Sequence, residues 1–186
     1  MKDYTVKDLM VPLSEYATVP IGSTLFEAVL ALEKAQEEFD HTKYRHRGVL
    51  ILDQSNRVMG KLSHMDALRA LEPQESDGNG VKDLSRFGFS NIFVSDLRKQ
   101  QRLKAAPLSD LCKKAVELKV EDFMRATAEG EMIDENASLD IAIHQLVLGS
   151  HLSLLVTRND NVVGILRLAD VFAAVFHTMT SCETAE

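Results

Sequence analysis

The sequence predicts an α/β (α+β) fold made of two tandem copies of one unit, with a helical insertion between them. The composition is that of a folded chain, because 45% of the 186 residues are apolar, 26% are charged and the net charge is −7. A pentapeptide at residues 6–10 returns at residues 120–124. In each copy, patterns typical of a helix alternate with short apolar runs typical of buried strands. These observations favour a duplicated α/β unit over a disordered or fibrous chain.

Cysteine content and hydropathy exclude several other classes. Cys112 and Cys182 lie far apart without CxxC spacing, which fits neither a disulfide framework nor a thiolate metal site. A reducing cytosol is therefore the expected location. Residues 1–8 are rich in charge, and no stretch approaches about 18 uninterrupted apolar residues, so neither secretion nor membrane spanning is expected. The acidic balance argues against a protein that coats nucleic acid.

The internal repeat begins with a shared motif. Residues 6–10 read Val-Lys-Asp-Leu-Met and residues 120–124 read Val-Glu-Asp-Phe-Met, a shift of 114 positions. The same shift runs without a gap through the next apolar stripe, where Leu25 meets Leu139. The first copy then has about nine extra residues, and further on a shift of about 105 pairs residues 46–51 with 151–156 and 60–66 with 164–170. Duplication of one unit explains this order.

Each copy reads as strand, helix, strand, turn, strand and helix. A short extended piece at residues 18–20 leads into a helix whose start, Thr24 with Glu27, has capping-box spacing. A buried strand at residues 49–52, a polar turn and a second strand at residues 58–62 follow, and the last helix begins near Met65. The counterparts in the second copy are residues 132–134, 154–156 and 162–166, and the helix from Ala169.

Between the copies, residues 73 to about 117 break the repeat. Residues 73–80 read as an exposed turn, while residues 91–103 and 108–118 have helical character. Together with Lys119 this stretch holds nine basic and six acidic residues, a net charge of +3 against −10 elsewhere. Solvated helix faces explain this charge, and a nucleic-acid-binding patch is the alternative.

These features resemble the cystathionine-β-synthase (CBS) domain pair, often called a Bateman module. The resemblance rests on the duplicated Val-x-Asp-(Leu/Phe)-Met opening, the apolar strand entered from a His-containing turn, and the Gly-x-Leu-x-x-x-Asp closing element. It covers residues 4–72 and 118–179. The resemblance implies two βαββα repeats, at 1–72 and 118–186, related by a pseudo-two-fold axis and separated by the insertion 73–117. It also implies a homodimer, usually disc-shaped.

The same resemblance implies a regulatory function without catalysis. The expected ligand is adenosyl, namely AMP, ADP or ATP with S-adenosylmethionine as the alternative, bound in a cleft between the repeats, and no cofactor is required. Such a cytoplasmic sensor of energy or metabolites would act on a partner protein that the sequence does not identify. The alternative is a ligand-free dimerisation or scaffold module with degenerate clefts. No GxSxG, Walker A, HExxH or CxxC pattern occurs, so neither catalytic residues nor metal ligands are predicted.

Two aspartates are the expected ribose ligands. A carboxylate can accept hydrogen bonds from both ribose hydroxyls, and the resemblance places Asp66 and Asp170 at this point. Each can instead act only as an acidic residue in a first helical turn. Ser63 is expected to contact phosphate or ribose, but Ser63 with Asp66 also has near capping-box spacing. Arg167 departs from the family pattern at the equivalent position, where it either binds phosphate or closes the cleft.

The remaining predicted contacts flank the two middle strands. His46 and Arg47 precede the first of these strands, where some family members contact phosphate, and His151 is the counterpart in the second copy. Solvated or structural side chains are the alternative for all three. The first strands would flank the base, although core packing explains their residues equally well. These residues are Val19, Pro20, Ile21 and Ile133.

Overall fold

The computed structural model describes residues 4–38, 45–71, 111–128 and 130–183. In these ranges the helices are α1 (Val6–Leu9), α2 (Leu25–Glu38), α3 (His64–Leu71), α4 (Leu111–Glu117), α5 (Leu139–Leu148) and α6 (Leu168–Glu183). The strands are β1 (Val11–Pro12), β2 (Thr18–Pro20), β3 (Gly48–Leu52), β4 (Val58–Ser63), β5 (Arg125–Ala126), β6 (Met132–Asp134), β7 (Ser153–Arg158) and β8 (Asn161–Arg167). Single 3₁₀ turns form at Leu13–Glu15 and Val120–Asp122.

The two copies form two four-stranded sheets. Sheet 1 has the strand order β2-β3-β4-β5, and sheet 2 has the order β6-β7-β8-β1. β2 lies parallel to β3 with α2 as the crossover, and β3 and β4 form an antiparallel hairpin. β6, β7 and β8 repeat this arrangement around α5. The predicted fold class of two tandem βαββα units is therefore confirmed.

The last strand of each sheet comes from the other copy. β1, which follows the first motif, pairs with β8, and β5, which follows the second motif, pairs with β4. The close contact of each added strand with its neighbour requires glycine. A Cβ on Gly60 would lie 2.6 Å from the backbone oxygen of Arg125, and a Cβ on Gly164 would lie 2.6 Å from that of Val11. The duplicated opening motif thus ties each copy to the sheet of the other. The methionine of each motif also lies close: a Cβ on Gly60 would be 3.1 Å from Met124 Sδ, and a Cβ on Gly164 would be 3.0 Å from Met10 Sδ.

Alternation along the middle strands divides the core into three clusters. On β3, Val49 and Ile51 pack with apolar residues of α2, while Leu50 points toward the other sheet. On β7, Leu154 and Val156 likewise pack with residues of α5. Two clusters therefore lie under helices and the third joins the sheets. The buried members of this third cluster are Val11, Tyr16, Leu50, Leu155 and Ile165.

The start of α2 follows the predicted capping box. The Thr24 amide donates to Glu27 Oε2 at 2.7 Å, and the Glu27 amide donates to Thr24 Oγ1 at 3.2 Å. The hydrogen bonds that the Thr24 amide and hydroxyl donate to Glu27 Oε2 also lower the pKa of the Glu27 carboxyl. Two amide donors at the helix start are satisfied in this way.

Most of the predicted insertion lies outside the described residues, including the helix expected at 91–103. The described part contains α4, Leu111–Glu117, inside the stretch 108–118 that predicts a helix. α4 packs against α2 and α3 and so belongs with the first sheet. No helix in the described ranges is long and apolar enough to cross a membrane.

Candidate functional site

A cavity of about 490 Å³ lies between the two copies. Its walls come from the start of β3, the end of β4, the turn before β7 and the junction of β8 with α6. This volume lies in the range of small-molecule sites, which are about 300–1,000 Å³. Apolar side chains from both copies form much of the lining: Val49, Leu50, Leu62, Leu152, Ile165 and Phe172.

The polar part of the lining contains more cations than carboxylates, and three of its five cations are ion-paired. Five lining residues are lysine or arginine, whereas one, Glu131, carries a carboxylate. Among the described residues, no carboxylate lies within ion-pair distance of Arg45 or Arg47. A concave surface with an excess of one charge attracts ligands of the opposite charge. An apolar wall beside a cationic one suits a ligand with a flat apolar part and an anionic part. The cations are Arg45, Arg47, Lys61, Arg125 and Arg167.

On the side of sheet 1, Ser63 and Asp66 form a reciprocal cap at the start of α3. The Ser63 amide and hydroxyl donate to Asp66 Oδ2 at 3.0 and 2.5 Å, and the Asp66 amide donates to Ser63 Oγ at 3.2 Å. Arg125 Nε, from β5, donates to the same Oδ2 at 3.2 Å. Burial alone would raise the pKa of Asp66, but the Ser63 hydrogen bonds and the Arg125 charge outweigh it, and the pKa is lowered. Asp66 is therefore an ionised, hydrogen-bonded carboxylate.

On the side of sheet 2, an ion pair occupies the equivalent place. Arg167 Nε donates to Asp170 Oδ2 at 2.5 Å, and Nη2 donates to Oδ1 at 2.7 Å. Both carboxylate oxygens are thus held by one guanidinium, the bidentate geometry that arginine favours. Arg167 and Asp170 are both largely shielded from solvent. Arg167 therefore takes the place of the serine cap and binds the carboxylate directly.

His46 lies behind this ion pair. Its side chain is fully buried, its ring meets the edge of Tyr16 with centroids 4.5 Å apart, and Nδ1 is 3.4 Å from Arg167 Nη1. Burial, and then the Arg167 charge, lower the pKa of His46 to about 4. Burial also raises the pKa of Tyr16 to about 12. Both side chains are consequently neutral near pH 7.

A polar cluster crosses from sheet 1 to the second copy. Lys61 Nζ donates to Glu131 Oε1 at 2.7 Å, and His151 Nδ1 lies 3.6 Å from the same oxygen. The Ala128 amide donates to Glu131 Oε2 at 3.2 Å. Burial alone would raise the pKa of Glu131, but the hydrogen bonds from Lys61 and the Ala128 amide, with the charge of Lys61, outweigh it, and the pKa is lowered. This carboxylate therefore neutralises part of the cationic wall.

Comparison with known proteins identifies the duplicated unit. The family model for the CBS domain matches residues 6–73 and again residues 120–177. The chain belongs to the CBS domain family. The two matches coincide with the two halves of the internal repeat, which we name CBS repeat 1 and CBS repeat 2. A search of curated proteins found no significant match.

Solved CBS-pair structures share the fold at low sequence identity. A CBS domain-containing protein of unknown function from Bacillus anthracis is 18% identical, with a TM-score of 0.61 and 94% of each chain covered. CBSX2 from Arabidopsis thaliana is 18% identical, with a TM-score of 0.59, 96% of this chain and 99% of that chain covered. A structure of CBSX2 in complex with AMP is 20% identical, with a TM-score of 0.58 and coverages of 94% and 97%.

The CBS fold brings some of the predicted site residues together and separates others. Arg47, Ser63, His151 and Arg167 line the cavity. Asp66 and Asp170 are not part of the lining but bond to residues that are. The remaining predicted contacts stand apart from the lining: His46 is buried beside Arg167, Val19 and Ile133 pack in the clusters under the helices, and Pro20 and Ile21 are exposed at the end of β2.

Sequence reasoning missed Lys61, Arg125 and Glu131 as cavity residues. Arg125 had a signal, because it follows the second motif directly at the position that Val11 occupies after the first. A cation in place of an apolar residue marks a local difference between the copies. Lys61 and Glu131 had no such signal, since only the packing of the repeats brings them together. In the described ranges, no three His, Cys, Asp or Glu side chains are grouped so that they could hold a metal ion.

Proposed function

We propose that this chain is a regulatory CBS-pair protein that binds an adenine nucleotide in the cavity between its repeats and signals to a partner. The observation that carries the proposal is the cavity itself, about 490 Å³ in volume, with an apolar wall and five cationic residues. CBS-pair proteins are in general regulatory, and one structure with the same fold, that of CBSX2, holds AMP. A partner and a cytoplasmic location are parts of the same proposal.

The lining residues suggest how a nucleotide would be held. The apolar wall suits the base, and Arg47 at the exposed rim suits phosphate, because a guanidinium presents several donors in a planar fork. Ser63 also lines the cavity and lies at the start of α3, where amide donors favour an anion. For the ribose, Asp66 is the better supported acceptor, since its Oδ1 is contacted by the exposed Arg69 at 3.4 Å, whereas the buried Arg167 holds both oxygens of Asp170 at 2.5 and 2.7 Å. His46 has the least support as a phosphate contact, because it is buried and neutral.

A thermal-shift screen of the full chain with AMP, ADP, ATP and S-adenosylmethionine tests this function. A ligand at about 100 times its Kd should stabilise the native state by roughly 2.7 kcal/mol. Arg47→Ala should reduce the shift produced by the bound nucleotide. Arg57→Ala is the matched control, because it removes the same charge in the exposed turn between β3 and β4, away from the cavity. Equal shifts in both variants would contradict a role of Arg47.

The alternative is a ligand-free dimerisation or scaffold module. The Arg167–Asp170 pair favours it for one cleft, because this pair satisfies the carboxylate expected to hold a ribose. If no adenosyl compound shifts the melting temperature even at millimolar concentration, while light scattering detects a stable homodimer, the alternative replaces the nucleotide proposal.

A homodimer is part of either proposal. The exposed face of α6 supports it, because its large apolar residues recur every three or four positions along the helix. Phe176→Asp should shift the mass measured by light scattering toward that of a monomer. A monomeric wild-type chain would contradict the proposal. The exposed residues are Leu168, Phe172, Phe176 and Met179.

A further inference from the structure

Arg125 is held at the cavity from two sides. Its backbone lies opposite Lys61 in the β4–β5 pair, and the absence of a side chain at Gly60 lets its carbonyl approach closely. Arg125 lines the cavity together with Arg47 and Ser63, and its side chain is more than half exposed. Nε donates to Asp66 Oδ2 at 3.2 Å, so the guanidinium is also fixed at one atom. CBS repeat 2 thereby places a cation beside the carboxylate of CBS repeat 1.

The equivalent place on the other sheet has no such cation. Val11 follows the first motif as Arg125 follows the second, and it is buried in the cluster between the sheets. Both sheets therefore receive a strand from the other copy, but only the strand paired with β4 brings a cation, Arg125, in place of the apolar Val11. Because Val11 forms the equivalent strand pair without a charge, the strand pairing itself does not require an arginine at position 125.

We propose that Arg125 is a ligand-binding residue that makes the cavity select a phosphate-bearing ligand over the uncharged nucleoside and over a cationic sulfonium compound. This inference rests on the proposed nucleotide-binding function. A guanidinium has five N–H donors, and the bond from Nε to Asp66 uses one of them. Arg47, which also lines the cavity, adds to the positive potential of the wall, whereas the charge of Lys61 is balanced by Glu131. Arg125 would thus contact the phosphate while Asp66 holds the ribose.

Arg69 provides a matched control for this role. Like Arg125 it contacts Asp66, with Nη1 3.4 Å from Oδ1, and its side chain is exposed to a similar extent, 59% against 56%. Unlike Arg125 it does not line the cavity. If Arg125 acted only by neutralising Asp66, removal of Arg69 would have a comparable effect.

Isothermal titration of AMP and adenosine into wild type, Arg125→Ala and Arg69→Ala tests the inference. A charge-assisted hydrogen bond predicts that Arg125→Ala raises the Kd of AMP about tenfold or more. The Kd of adenosine should change less than about threefold, and Arg69→Ala should leave both within about threefold. Melting curves without ligand check that the variants are folded, which the exposure of both side chains favours.

Three results would overturn the inference. An unchanged AMP affinity in Arg125→Ala, with wild type binding AMP, removes the phosphate contact and leaves the proposed function intact. Equal losses for AMP and adenosine show that Arg125 acts through Asp66. A wild-type chain that binds neither compound here, nor any nucleotide in the thermal-shift screen, removes the proposed function, and this inference with it.

Discussion

At the starts of α3 and α6, the two CBS repeats hold an equivalent aspartate with different partners. In CBS repeat 1, Ser63 and Asp66 cap the helix start together, and exposed arginines contact Asp66. In CBS repeat 2, the buried Arg167 holds both oxygens of Asp170. The carboxylate is thus kept at both places while its partner changes. Duplication has therefore kept the aspartate at both helix starts, whereas the neighbouring side chains decide which bonds it forms.

Substitution of the two aspartates should give the largest difference in stability between the repeats. Asp170→Ala leaves Arg167 buried without its carboxylate, and loss of one member of a buried pair costs about 3–5 kcal/mol. Asp66→Ala removes a helix cap and leaves exposed arginines, so we expect a loss of about 1–2 kcal/mol. Urea denaturation at pH 7 measures both free energies of unfolding. Equal losses would show that the two helix starts are energetically equivalent.

The two glycines under the exchanged strands should instead behave alike. A Cβ at Gly60 or at Gly164 lies 2.6 Å from a backbone oxygen that cannot move without disturbing the strand pair. Each Gly→Ala variant should therefore lose about 1–3 kcal/mol of stability, as in other overpacked sites. Thermal unfolding of the two variants, measured in parallel, gives the values. A loss confined to one of them would show that the exchange is not symmetric.

The pH dependence of stability should reveal the buried histidine of CBS repeat 1. Burial lowers the pKa of His46 from 6.5 to about 4, so between these pH values the unfolded chain binds more protons than the native chain. Stability should fall as the pH decreases from 6.5 toward 4, by up to about 1.4 kcal/mol per pH unit from this group. Denaturant titrations should give a flatter profile for His46→Leu. Tyr16→Phe should keep the slope, because the pKa of Tyr16 is about 12.

The smallest expected difference concerns the first turns of α2 and α5. Thr24 bonds to Glu27 in both directions, whereas the side chain of the N-cap residue Ser138 makes no capping hydrogen bond. Thr24→Ala should therefore cost about 1 kcal/mol and Ser138→Ala only a few tenths. Chemical denaturation resolves these values if the two variants have the same m-value, the slope of unfolding free energy against denaturant concentration. A larger loss at Ser138 would contradict the comparison.

Much of the fold could be predicted because apolar spacing is a local signal. The four longest helices of the two units, the strands β2–β4 and β6–β8, the α2 capping box and the duplicated motif were visible in the sequence. The short strands β1 and β5 were not predicted, since two residues carry no periodicity. The exchange of these strands between sheets follows from a contact between residues about 65 or 150 positions apart, as at Arg125 with Lys61 and Val11 with Ile165.

The candidate site could be predicted only in part for the same reason. Ser63, Arg47, His151 and Arg167 were chosen by their place in the motifs, and all four line the cavity. Their partners depend on the packing of one repeat against the other. His46 was expected to contact phosphate, with a solvated side chain in an exposed turn as the alternative, but the chain buries it beside Tyr16 and Arg167.

The sequence by itself determined the repeated unit, its order of strands and helices and the family to which it belongs, because these depend on side-chain periodicity and short motifs. Only the tertiary structure decided which charges meet. Ion pairing acts over a few ångströms between side chains far apart in the chain. The pairing of Arg125 with Asp66, and of Lys61 with Glu131, therefore required the two sheets to be in place.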